Sequence, residues 1–167
     1  MNVRRHEGHE REIPHAHFYH IILPIIFMVI WFLDSQIFQI STILNDFLPL
    51  MIRFSIFILI IIIAITFIML SHRALFKNHQ PPTKIITSGI LGYSRNPMYF
   101  GIILIYLAFI FLSISLISIG IFIMIFLVYN RMVNFEENLL EKMFGKDYLD
   151  YKKRVRKWFP IPIKTND

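Results

Sequence analysis

The chain has 167 residues, 56% hydrophobic and 17% charged, with a formal net charge of +6 and no cysteine. This length suits one domain, and the missing cysteines exclude disulfides and thiolate metal sites. The apolar residues are bunched into membrane-length blocks with basic residues at their flanks, where lipid and topology account for the charge. No nucleic-acid-reading module is present, so no nucleic-acid partner is expected.

Residues 1–17 form a polar lead. With its continuation, "HEGHEREIPHAHFYH", it holds His6, His9, His15, His17 and His20. The spacing fits no zinc pattern, and "HEGHE" is not H-E-x-x-H, so no metal is expected and these histidines read as a mobile entry to the first span. The first apolar block runs from about Phe18 to Leu33 and contains Pro24, with Tyr19 and Trp31 suited to the membrane interface. The following "LDSQ" has no small-residue cleavage site, so the block reads as a retained anchor rather than a signal peptide. The second block runs from about Phe47 to Leu70. Residues 18–70 therefore read as two transmembrane spans.

The third block, Met98 to Tyr129, would be about 48 Å long as one helix, too long for a single untilted crossing of about 30 Å. Its middle, "LSISLISIG" (112–120), carries serines and a glycine that suit a turn. Charge favours the turn. Arg4, Arg5 and Arg11 precede the first span, Arg73, Lys77, Lys84 and Arg95 follow the second, and nine Lys or Arg lie from Arg131 onward. The loop 34–46 has Asp34 and Asp46 but no basic residue. A helical hairpin over 98–129 puts every basic segment on the cytoplasmic side. The expected fold is thus all-α and integral to the membrane, with about four transmembrane helices and both termini cytoplasmic. Arg53, near the outer end of the second span, reads as snorkelling to the headgroups, or else as facing the bundle.

The tail changes character. "FEENLLEKMFG" (135–145) carries a helical apolar stripe ended by Gly145. In "KDYLDYKKRVRKWFP", Asp147 is placed to cap a second short helix. Tyr148, Tyr151 and Val155 share one face opposite Lys and Arg, the pattern of amphipathic helices lying on an anionic bilayer, with Trp158 and Phe159 at headgroup depth. His72 and His79 read as interfacial.

Three polar clusters fall at cytoplasmic span ends: "PPTKIITSG" (81–89), "YSRNPMY" (93–99) and "NRMVNFEE" (130–137). Arg95 and Arg131 offer cationic forks, and Glu136 and Glu137 offer anions, a combination able to hold a charged or zwitterionic ligand. The bland alternative is topology signals plus a solvated helix start. Pro97 suits a first helical turn with Asn96 as its N-cap.

The order "TSGILGYSRNPMYFG", an apolar hairpin, then "EENLLEKMFGKDYLDYKKRVRKWFP" resembles the isoprenylcysteine carboxyl methyltransferase family and its phospholipid methyltransferase relatives, over about residues 79–160. The resemblance implies a methyltransferase-like region over 71–167, with S-adenosylmethionine as methyl donor in a pocket between the loop before the third span and the tail. It implies cofactor contacts from Thr83, Lys84, Ile85 and Ile86, from Asn96, Pro97, Met98 and Tyr99, and from Glu136. Leu91 falls where some members use a tyrosine near the cofactor. Arg131 is implied in substrate contact, with Arg95 beside it, and Arg131 and Glu136 form the implied catalytic pair. Three departures matter: Asn96 stands where many members have histidine, Leu91 replaces the tyrosine, and Arg131 lies one residue further from the glutamates than in the eukaryotic pattern. An asparagine cannot shuttle a proton.

A carboxylate acceptor is already ionised at neutral pH and needs no base, whereas an amine must first lose a proton. With no base evident near Asn96, the residues favour O-methylation or a soft nucleophile, and the resemblance implies a lipophilic, isoprenylcysteine-like carboxylate on a lipid or lipidated substrate. The alternatives are a phospholipid N-methyltransferase, an NADPH-dependent sterol-type reductase, and a non-enzymatic lipid-binding module.

Overall fold

The computed structural model describes residues 16–75 and 84–159. Helix α1 is Ala16–Phe32 and runs on through wider turns over Leu33–Phe38. A short turn at Ile43–Phe47 leads to α2, Leu50–Leu75. A second short turn, Gly89–Gly92, precedes α3, Pro97–Ser113; then come α4, Leu116–Phe144, and α5, Lys146–Arg154. Among the described residues, three helices are long and apolar enough to cross a membrane: Phe18–Phe38, Leu50–Leu75 and Leu116–Phe144. The fourth, Pro97–Ser113, is apolar and about 26 Å long, compatible with the expected count of about four.

Contacts give the directions. Trp31 meets Phe109, Phe27 meets Tyr106 and His20 meets Tyr99, so α1 runs parallel to α3. Phe57 meets Phe109 and Phe67 meets Phe100, so α2 runs antiparallel to α3. Tyr106 and Tyr99 both meet Tyr129, and α4 returns along α3 as the second arm of a hairpin. The start of α1, the end of α2, the start of α3 and the end of α4 therefore share one end of the bundle.

The closest approach is between α2 and α3, where Ala64 and Ala108 are fully buried. A Cβ on Gly101 would lie 2.9 Å from the Ala64 carbonyl oxygen and 2.7 Å from Ile68 Cγ1, so only glycine allows this backbone contact. The outer surface is left to isoleucine, leucine and phenylalanine, as a lipid-facing bundle requires.

The hairpin break falls inside the expected serine-rich stretch, at Ile114, whose φ of 33° is left-handed. A serine knot supports it. The hydroxyls of Ser41 and Ser115 both donate to the buried Asp34, and Ser35 and Ser113 share a hydrogen bond of 2.7 Å. Arg53 does not snorkel. Its guanidinium donates to Asn45 Oδ1 at 2.7 Å and to the Leu112 carbonyl at 2.8 Å, satisfying a carbonyl near the end of α3. Trp31 is likewise buried rather than interfacial, because its indole N–H reaches the Phe109 carbonyl at 2.9 Å.

The tail also departs from expectation. No Pro or Gly interrupts residues 121–144, so α4 absorbs "FEENLLEKMF" into the fourth span, and its roughly 44 Å carries the glutamates along with it. Gly145, with φ of 53°, makes the turn into α5. It also takes the N-cap position expected of Asp147, which sits instead in the first turn. The α5 face formed by Tyr148, Tyr151 and Val155 packs on Ile85 and Phe144 rather than on a bilayer.

Candidate active site

At the shared end of the bundle, the loop before α3 is tied to the segment after α5. Ser94 and Arg156 pair as a short parallel bridge, and the Arg95 N–H donates to the Arg156 carbonyl at 2.9 Å. The buried Ser94 hydroxyl lies between the Lys157 and Trp158 carbonyls. The tail is thereby laid across the hairpin, where Trp158 meets Phe126 and Phe159 meets Phe100.

Arg95 and Glu137 form the centre of this junction. The guanidinium donates through Nε and Nη2 to the two carboxylate oxygens at 3.0 and 3.1 Å, and through Nη1 to the Lys152 and Val155 carbonyls. Glu137 is buried and the Arg95 side chain is only 11% exposed. Asn96 occupies the expected N-cap position of α3, but its amide is spent elsewhere, donating to Glu137 Oε1 at 2.8 Å. One carboxylate thus fixes loop, helix and tail together. Pro97 is buried in the first turn of α3.

Next along α4, Glu136 does different work. The Tyr99 hydroxyl donates to Glu136 Oε1, joining α3 to α4. The Tyr99 ring is buried against Tyr129, and His20 from α1 lies against both rings, with centroids 5.6 and 5.7 Å away. Beside this cluster opens an apolar groove of about 320 Å³, lined by His20, Pro24, Phe27, Met98, Tyr106 and Tyr129 among others.

On the tail side lies a smaller cavity of about 120 Å³, where Lys84, Ile85, Ile86, Leu91 and Arg95 face Tyr148 and Tyr151. Burial pushes the Tyr151 phenol up to about 12, and its hydroxyl donates to the Leu91 carbonyl. Burial, aided by Glu137, also raises Tyr148 above the usual phenol range. Desolvation lowers Lys157, whose ammonium donates to Asn130 and Asn134.

The expected site residues therefore fall into two neighbouring groups. Lys84, Ile85, Ile86, Leu91 and Arg95 line the tail-side cavity, while Met98 and Tyr99, with Glu136, stand by the groove. Thr83 lies outside the described residues. Arg131 is exposed on α4 and makes no hydrogen bond or ion pair among the described residues. Arg95 is turned into the protein by Glu137. Ser94 and Tyr129 carry the geometry without having been assigned a role from the sequence, Glu137 binds Arg95 and Asn96 rather than offering a free anion, and His20 packs on Tyr99 and Tyr129 rather than in a mobile lead. The register of α1 against α3, which brings His20 in, is invisible to local pattern.

The family model described as PEMT, phospholipid methyltransferase, matches residues 48–147, from α2 to the start of α5. No curated protein and no solved structure matches the chain.

Proposed function

The chain belongs to the phospholipid methyltransferase family, and from that premise we propose a membrane-integral enzyme that transfers a methyl group from S-adenosylmethionine to the headgroup of a membrane amphiphile. The observation that carries the reading is the Tyr99–Glu136 contact between the two arms of the hairpin, beside Tyr129 and at an apolar groove. Family membership favours methyl transfer over the reductase and non-enzymatic alternatives.

The residues present fit the cofactor. Its sulfonium and amino group are cations, and a carboxylate beside aromatic faces is a donor set that suits them. The apolar walls of Ile85, Ile86 and Leu91 suit an adenine ring. When bound, the cofactor supplies an activated methyl group, so the protein's chief task is alignment. Glu136 and Tyr99 would hold the cationic end. The Arg95–Glu137–Asn96 junction fixes the loop that carries Tyr99, and the docked tail covers the loop and limits access of water. The groove between α1 and the hairpin receives the acyl or prenyl part of the acceptor from the bilayer. The basic residues concentrated at this end support a cytoplasmic site.

The acceptor has two readings. A lipophilic carboxylate needs no base and has Arg131 as its exposed cation on α4. A phospholipid amine is supported by the family description and by Arg95 being engaged with Glu137. Membranes containing the chain, supplied with methyl-labelled cofactor, phosphatidylethanolamine and a prenylated cysteine, test the proposal. Label in a lipid product supports it, and the labelled product identifies the acceptor. Intact cofactor binding without label in any lipid rejects it.

A further inference from the structure

Methylation of an amine requires a group to take its proton, and neither Asn96 nor Arg95 can do so. We propose that His20 is that proton acceptor when an amine-headed lipid occupies the site. The proposal rests on the methyltransferase reading above and adds a residue outside the stretch matched by the family model.

Three observations converge on His20. It sits near the start of α1, on the side that lines the 320 Å³ groove through which an acyl chain would enter. Its ring lies 5.6 Å from Tyr99 and 5.7 Å from Tyr129, inclined by 36° and 27°, so the imidazole is held against the wall nearest Glu136. Tyr99 in turn donates to Glu136. A headgroup at the mouth of the groove thus meets the His20 imidazole on a wall shared with Tyr106 and Tyr129, and the Tyr99 ring on which that imidazole lies leads to a carboxylate. Phenols titrate near 10 and carboxylates near 4; imidazole is the group in this wall whose ordinary range matches neutral proton transfer.

The step balances. An ammonium headgroup gives one proton to an imidazole nitrogen of His20 and becomes a neutral amine. The amine lone pair then forms the new nitrogen–carbon bond while the carbon–sulfur bond breaks, and its electron pair stays on sulfur as a neutral thioether. The product nitrogen carries the positive charge, and His20 returns its proton to water.

His20→Phe keeps the ring contacts and removes the proton chemistry, and His20→Gln provides a second variant of different shape. The full chain is assayed in phosphatidylcholine nanodiscs containing phosphatidylethanolamine. Wild-type kcat/KM rises with pH through the imidazole range. Both variants lose about 100-fold at pH 7 and lose that inflection, while cofactor affinity by calorimetry stays within about three-fold. Without cofactor, a histidine ring NMR signal absent from His20→Phe titrates in the wild type and shifts with an amine-headed amphiphile but not with a choline-headed one. An unchanged pH profile in His20→Phe overturns the proposal, as does loss of cofactor binding along with activity, which marks a packing role. Methylation of a carboxylate lipid alone overturns it while leaving the methyltransferase reading in place. Failure of the wild type to bind cofactor removes both.

Discussion

At the residue scale, adjacent glutamates have opposite fates. Glu137 is buried and bonded to Arg95 and Asn96, whereas Glu136 is only partly buried and receives the Tyr99 hydroxyl. Neighbours on a helix are about 100° apart, so the pair addresses two surfaces. Glu137→Gln leaves the buried guanidinium without its counter-ion, and thermal unfolding in detergent should show a loss of about 3–5 kcal/mol. Ile114 offers the opposite case. A β-branched residue at positive φ is strained, and Ile114→Gly should stabilise the hairpin by about 1 kcal/mol in the same assay. The pair "EE" and the turn "YSRNPMY" were legible in the sequence as a polar cluster. Which glutamate faces which partner was not, because that depends on the rotation of α4 and on where the tail lands.

At the element scale, the helices were legible because apolar length and charge asymmetry are local signals. The end of the fourth helix was not: hydropathy drops after Tyr129, yet helical hydrogen bonding continues to the first residue that interrupts it, Gly145. The tail misled for a related reason. An amphipathic face records only that something apolar covers it, and here the cover is Ile85 and Phe144 rather than lipid. Two predictions belong to this scale. Gly101→Ala forces α2 from α3 against backbone and should cost about 1–3 kcal/mol, seen as a lower unfolding temperature. The buried Tyr151 has its folded-state pKa raised to about 12 from about 10, so its contribution is complete below pH 10 and fades as pH rises through 12. Proteolytic cleavage of the tail should therefore increase over that window, and Tyr151→Phe should remove this part of the pH dependence.

At the scale of the whole molecule, the start of α1 and the tail lie at one end and the Asp34 serine knot at the other. The chain has no cysteine, so single cysteines report topology cleanly. Lys146→Cys should react with an impermeant thiol reagent from the cytoplasmic face and Asp46→Cys from the opposite face. Labelling of both from one face contradicts the four-crossing arrangement. The most direct test of the account is calorimetric titration of the purified full chain with S-adenosylmethionine, repeated for Glu136→Gln and Tyr99→Phe. The account predicts wild-type binding that Glu136→Gln weakens at least about ten-fold, the loss of one charge-assisted contact, and that Tyr99→Phe also weakens. Equal affinity in all three proteins contradicts it.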